Sequence, residues 1–336
     1  MSLSKKKLLG IDIGTHALKL VRYNGGQIDS IAVTEMPDSL SRGGMISSYD
    51  ACADFIKEVL NAQKIKGDDC AVVLPDGHTL LRRLNLPYMT VKQLETNLPY
   101  EFKDFLSLSN DKYFFDYSME DIQYDELKKP ATMNLLACCV QRAVIGEYRT
   151  MFKRAGLNLV GAFPVQVAYL NMIAKADLSK NDEDADFAIL DLAHSCCRLD
   201  VFSGDRYSTT RIIETGLAEL DRSISLEQFV DVHLAHSYKE SNHKDCLNSE
   251  ESRKLYNSIA LDVRKAVNFY NFSNAGKKLK DLYLAGGGVF IDPLVEAIRS
   301  QAPELELHSI QDLCPRCKGN FAEISSAAAA IGAAMM

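Results

Sequence analysis

Leu9-Gly10-Ile11-Asp12-Ile13-Gly14, followed by Lys19-Leu20-Val21 and a turn at Asn24-Gly25-Gly26, decides the architecture, because the pattern returns 179 residues later. The second copy is Ala188-Ile189-Leu190-Asp191-Leu192-Ala193, then Arg198-Leu199-Asp200-Val201 and a turn at Ser203-Gly204-Asp205. Asp12 falls on Asp191, Lys19 on Arg198, Tyr23 on Phe202 and Gly25 on Gly204. An apolar run that ends in Asp reads as a buried strand delivering a carboxylate to its end. Glycine in the following turn accepts a positive φ without steric cost. Two such units predict two similar half-molecules whose acidic strand ends face a cleft, an arrangement that holds a metal-bound polyphosphate.

The chain has 336 residues, enough for two domains or two lobes of one larger fold. Hydrophobic content of 47% and charged content of 25% are ordinary for a globular protein. The net charge of −7 argues against nucleic acid as a partner. Lys5-Lys6-Lys7 precedes only a short apolar run broken by Asp12, so no secretory signal is read. No uncharged stretch reaches the roughly 20 residues of a membrane span. Nine cysteines at irregular spacings read as reduced thiols of a cytosolic protein.

Residues 8–35 are expected to form a three-stranded meander, and 187–214 a second. Asp50 is expected to cap a helix with Ala53, Phe55, Ile56, Val59 and Leu60 on its apolar face. Cys70–Pro75 reads as a buried strand. Residues 78–163 read as an inserted α+β module. It comprises a strand over Leu80–Leu86, a helix capped by Thr90 and broken at Pro99, strands Tyr113–Met119 and Met133–Val140 around an acidic loop Glu120–Lys129, a helix Ala143–Ala155 stopped by Gly156, and a strand Leu157–Phe163. Helices are expected at Pro164–Ala176, Ser225–Tyr238, Ser249–Phe272, Asp292–Gln301 and Ser325–Ala334. A polar linker is expected at Asp177–Asp186. The domain reading is therefore a first lobe from 1–77 and 164–180, the insert 78–163, and a second lobe 181–336 whose last helix, 325–336, returns to the first.

These pieces arrive in the order of the actin-like ATPase superfamily, an α/β, ribonuclease H-like, two-lobed fold. Asp12-Ile13-Gly14-Thr15 with Lys19 resembles its first phosphate loop, and Asp191 to Cys197 its second. The helix near Pro164 resembles its first connecting helix, Gly286-Gly287-Gly288 its adenosine loop and Ala327–Ala334 its second connecting helix. The opening Gly10-Ile11-Asp12-Ile13-Gly14, the place of the insert and the step Leu98-Pro99-Tyr100 make the chain most similar to the FtsA and PilM branch, and within it to PilM-like type IV pilus assembly proteins.

That resemblance implies ATP with Mg²⁺ in the cleft. Asp12 and Asp191 would hold the ion through water, since magnesium prefers oxygen and keeps several waters. Gly14 would let the phosphate approach, with Thr15 beside it. Lys19 stands where a phosphate-contacting lysine is expected; it reads equally as a surface residue on an alternating strand. The second loop departs from the pattern. Ala193 replaces a glycine, which costs about 1–2 kcal/mol if a positive φ is required, and a cysteine takes the place of a threonine hydroxyl. His194, next to Ser195, reads either as a phosphate contact or as a polar loop residue. Gly216 resembles the glycine-containing entry to the second lobe's helices. Gln166 reads as either a water-positioning residue or a helix-start residue. Weak or absent hydrolysis is expected.

The resemblance further implies a scaffold of a type IV pilus or type II secretion-like platform, peripheral to the cytoplasmic face of the inner membrane. It would bind the N-terminal tail of a PilN-like single-span protein at about 80–90 and 157–166; a homo-oligomer stays open. The alternatives are an ATP-dependent enzyme of the same fold, a sugar kinase or a reductase activator, and an FtsA-like filament former. The activator would need cluster-binding cysteines and the filament former an amphipathic membrane helix, which the alanine-rich tail does not provide. Cys314-Pro315-Arg316-Cys317 is half of a zinc knuckle with no second half. His233, His236, His243 and Cys246 fit no metal-binding spacing.

Overall fold

The computed structural model describes residues 7–42, 44–66, 69–176, 186–274, 278–318 and 322–336. The expected linker Asp177–Asp186 lies outside them except for Asp186.

In chain order the first meander is β1 (Lys7–Ile13), β2 (Ala17–Asn24) and β3 (Gln27–Glu35). A short ladder, β4 (Ser41–Arg42) with β5 (Met45–Ile46), leads to α1 (Tyr49–Ala62) and β6 (Asp69–Leu74). The insert follows as β7 (Thr79–Pro87), α2 (Val91–Glu101), β8 (Tyr113–Tyr124) and β9 (Pro130–Gln141). Then come α3 (Arg142–Arg154), β10 (Asn158–Pro164) and α4 (Val165–Ile173). The second half is β11 (Asp186–Leu192), β12 (Cys197–Ser203), β13 (Arg206–Ile213), α5 (Ala218–Gln228), α6 (Val232–Ser241), α7 (Glu250–Ser273), β14 (Asp281–Ala285), α8 (Asp292–Gln301), β15 (Glu306–Ser309) and α9 (Ala328–Ala334).

The strands build two five-stranded sheets in the orders β10-β6-β1-β2-β3 and β15-β14-β11-β12-β13. Each has an antiparallel meander on one side and parallel strands on the other. The register repeats as well. Asp12 pairs with Lys19 across β1–β2, and Asp191 with Arg198 across β11–β12. A bulge interrupts β2–β3 between Arg22 and Tyr23, and β12–β13 between Val201 and Phe202, the equivalent residues. A bulge sharpens local twist, so both meanders are bent at the same place. The actin-like expectation is met at the level of strand order, register and irregularity.

Between the sheets lies a shared core. Tyr169 and Met172 of α4 and Ile331 of α9 pack there with Val21, Val73, Ile189 and Tyr283 from the strands. The helices cross closely because their contacts carry almost no side chain. A Cβ at Gly332 would collide with the backbone of Ala168, and one at Gly10 with the carbonyl of Ala330. α9 thus closes against β1, β2 and β6 of the first sheet. A second cluster fills the outer face of that sheet under α1 and α3, and a third fills the second lobe.

The insert has its own core around Leu94, Leu98, Phe102, Met133 and Leu135, beneath a three-stranded sheet in the order β7-β9-β8. α3 and β10, counted with the insert from sequence, pack elsewhere. Tyr148, Met151 and Phe152 join the core of the first lobe, and β10 pairs with β6. A boundary after Gln141 divides the packing better than one after Phe163.

Other local expectations change for identifiable reasons. Ser48, not Asp50, caps α1, its Oγ accepting from the Ala51 N–H at 3.3 Å; Asp50 pairs with Arg154. α2 begins with the expected Thr90, in a reciprocal capping box with Gln93, but continues through Pro99 and ends two residues later. The acidic loop is a tight turn, because β8 and β9 extend to Tyr124 and Pro130 and Asp125 Oδ1 accepts from the N–H groups of Leu127 and Lys129. Ser225–Tyr238 is two helices, not one: Phe229 adopts a left-handed φ of 55° and ends α5, while Asp231 caps α6.

Candidate functional site

β1 and β11 end at a common cavity of about 920 Å³ between the lobes, lined by Asp12, Gly14, Thr15, Lys19, Asp191, Ala193, His194, Ser195, Gly286 and Gly287. Ten of the sequence-predicted residues therefore share one space, of the size that takes a nucleotide-scale ligand.

In the first loop, the Gly14 N–H donates to Ala17 O at 3.0 Å, closing the turn. A Cβ on Gly14 would lie 2.9 Å from Lys19 Nζ, so glycine leaves space for the ammonium. Lys19 Nζ donates to Asp12 Oδ2 at 2.8 Å, with both side chains 19% exposed. Burial opposes the lysine's charge, but Asp12 and then Asp191 outweigh it and hold its pKa above the ordinary value. Asp12 thus already faces one cation.

The second loop has the same hairpin and a different charge pattern. Arg198 lines the cavity and pairs with Asp76, which follows β6 in the other lobe. Asp191 is left with a long hydrogen bond of 3.5 Å from Tyr169 Oη. Burial raises its pKa, only partly offset by Lys19 and Arg198, and Asp12 raises it further. A half-buried carboxylate in this state gains from a divalent cation, and oxygen donors suit Mg²⁺. The residues present therefore fit a magnesium–polyphosphate ligand.

Ala193 does not incur the expected backbone cost, since it is not among the non-glycine residues with positive φ. Its carbonyl accepts from the Leu217 N–H at 3.1 Å, and that of His194 from the Ala218 N–H at 2.8 Å. Gly216 lies outside the cavity lining but supports this loop: a Cβ there would collide with His194 O and the Cys196 amide. His194 stacks on His16 across the cleft, with ring centroids 4.4 Å apart and planes at 17°. Burial, and then His16, push its pKa down to about 4, so it brings no positive charge to a phosphate at neutral pH.

Gly286 has a φ of 84°, and a Cβ there would collide with Asp191 Oδ1. Gly287 lines the cavity beside it, whereas Gly288 is buried against the side chain of Leu192. Gln166 is 6% exposed and not in the lining. Its amide donates to Asp200 Oδ1 at 3.3 Å and Thr210 Oγ1 at 3.2 Å.

Sequence reasoning missed His16, Asp76, His236, Lys239, Glu240, Leu247 and Phe290 among the lining residues. Arg198 was identifiable from its alignment with Lys19. His16 follows Thr15 in the first loop, and the others are brought in by tertiary contacts from elements far apart in the chain.

Comparisons with known proteins bear on the family and the fold. The family model described as type IV pilus assembly protein PilM matches residues 10–309. A solved PilM–PilN type IV pilus biogenesis complex contains a chain similar in fold, with a TM-score of 0.81 and 20% identity, covering 98% of each chain. The ethanolamine utilization protein EutJ from Carboxydothermus hydrogenoformans is similar in fold at a TM-score of 0.61 and 14% identity, covering 100% of this chain and 91% of its own. No curated protein matches significantly. Among the described residues no helix is long and apolar enough to cross a membrane.

Proposed function

From the premise that this chain belongs to the PilM family of type IV pilus assembly proteins, we propose that it is a nucleotide-responsive scaffold. Mg-ATP occupies the cleft, with Asp12 and Asp191 holding the ion through water. Thr15, Ser195 and the two loop backbones contact phosphate, and Gly286-Gly287 lies along the nucleoside. The bound ion supplies charge neutralisation between phosphates and carboxylates. The observation that carries this reading is the convergence of both acidic hairpins and the glycine turn on one cavity.

ATP acts here as a conformational ligand more than as a fuel. The Gln166 amide is engaged by Asp200 and Thr210, which supports slow or absent hydrolysis. Closing the cleft changes the relative positions of the sheets and so of the insert, the route by which a ligand with different affinities for two states shifts a partner surface.

The partner is the N-terminal tail of a PilN-like membrane protein, held near β7 and β10, at the cytoplasmic face of the inner membrane. Both are edge strands of their sheets. An extended peptide can add to such an edge through its backbone. Fluorescence anisotropy of a labelled peptide copied from the N-terminal tail of a PilN-like membrane protein tests this. Saturable binding that changes with Mg-ATP is expected. Equal anisotropy with and without the protein contradicts the partner assignment.

A further inference from the structure

We propose that His16 and His236, with Glu240 as third ligand, form a transition-metal site that joins the two lobes at the cleft. His16 lies in the first phosphate loop and His236 on α6, 220 residues later, yet their Nε2 atoms are 3.1 Å apart. Two imidazole nitrogens at that distance can share one proton or bind one metal. With zinc–nitrogen bonds of about 2.0–2.1 Å, tetrahedral geometry places two such nitrogens roughly 3.3 Å apart.

The surroundings of His236 favour the metal. Its Nδ1 lies 3.1 Å from Asp221 Oδ2, the carboxylate–histidine arrangement that directs the opposite nitrogen's lone pair toward a metal. Asp221 is 2% exposed on its side chain, and its other oxygen meets Lys239 at 2.7 Å. Lys239 Nζ also lies 3.1 Å from His236 Nδ1; donation along that line gives the shared-proton alternative. Glu240 Oε1 is 3.5 Å from His236 Nε2, on an exposed side chain. His194, stacked on His16, fixes that ring's plane. Burial, and then His236, lower the pKa of His16.

Two imidazoles and one carboxylate suit zinc, cobalt or nickel, and not magnesium. This site is therefore chemically separate from Asp12 and Asp191, although it borders the same cavity. Because its ligands come from both lobes, occupancy biases the cleft toward closure, and metal and nucleotide affinities must influence each other reciprocally. A different cluster, Asp281, Glu306 and His308, sits between β14 and β15. There His308 Nε2 meets Asp281 at 2.7 Å, and one ligand atom from each of the three lies within 4.8 Å of the others; substitution of His308 therefore tells the two sites apart.

The test uses the full chain, chelator-treated and free of nucleotide, titrated with Co²⁺ by absorption and Zn²⁺ by calorimetry. One equivalent should bind, with a nitrogen/oxygen spectrum lacking thiolate charge transfer. His16→Ala and His236→Ala should each weaken binding at least tenfold. Glu240→Gln, on an exposed side chain that cannot threaten folding, should weaken it several-fold, and His308→Ala should leave it unchanged. The proposal is overturned by the absence of stoichiometric binding, by a thiolate signature, by loss in His308→Ala, or by unaltered affinity in folded His16→Ala. Because nucleotide is absent, a negative result leaves the Mg-ATP reading untouched.

Discussion

The two acidic hairpins share strand order, register and even the position of a bulge, and differ in where each sends its basic residue. In the first, Lys19 turns back onto Asp12 within its own hairpin. In the second, Arg198 reaches Asp76 of the other lobe, and Asp191 is left half-buried with a raised pKa. A duplicated backbone can therefore carry two electrostatic designs. One carboxylate is already matched with a cation. The other lacks such a match in its own hairpin, which under the proposed function leaves it for an incoming ion, and its arginine reaches the other lobe.

The largest expected effect concerns a position where the copies differ in packing. Gly10 aligns with Ile189. α9 lies directly on the first, whereas a buried side chain fills the space at the second. Gly10→Ala should destabilise the protein by about 3 kcal/mol through overpacking, against about 1 kcal/mol for Ile189→Val. Chemical denaturation compares them. Similar losses would mean that α9 adapts, and the asymmetry would lose its structural basis.

The charge patterns predict a smaller contrast. Asp12→Asn leaves the Lys19 ammonium without its ion-pair partner and should cost about 2 kcal/mol in the absence of nucleotide. Asp191→Asn removes a carboxylate that burial already disfavours and should change stability by less than about 0.5 kcal/mol, or increase it. Equal losses would break the distinction between a matched and a reserved carboxylate. The smallest effect belongs to the pair that bridges the lobes. Asp76 is 37% exposed on its side chain, so Asp76→Asn should cost no more than about 1 kcal/mol. It should also raise protease sensitivity of the cleft loops; unchanged digestion would show that the ion pair does not restrain the lobes.

What the sequence revealed, and what it concealed, follows from the range of each interaction. The meanders were legible because alternation, a glycine turn and a terminal Asp all lie within one hairpin, and comparing the copies fixed the register. The Thr90 and Ser249 helix starts were legible for the same local reason. The break at Phe229 was hidden, because an aromatic residue rarely adopts a positive φ and the apolar periodicity runs through it. The attachment of α3 and β10 to the first lobe was hidden too, since a chain leaving an insert gives no local sign of where its sheet partner lies. Within the site, Asp12, Gly14 and Gly286 could be read from their strands. The Arg198–Asp76 and His16–His236 contacts span 122 and 220 residues and belong to the tertiary fold alone.

The central claim is that Asp12 and Asp191 serve one magnesium–nucleotide ligand. Melting temperatures with and without Mg-ATP, measured on the wild type and on Asp12→Ala, test it most directly. At a hundredfold excess over Kd the wild type should gain about 2.7 kcal/mol, seen as a clear rise in Tm, and Asp12→Ala should show none. Equal rises in the two proteins would contradict the account.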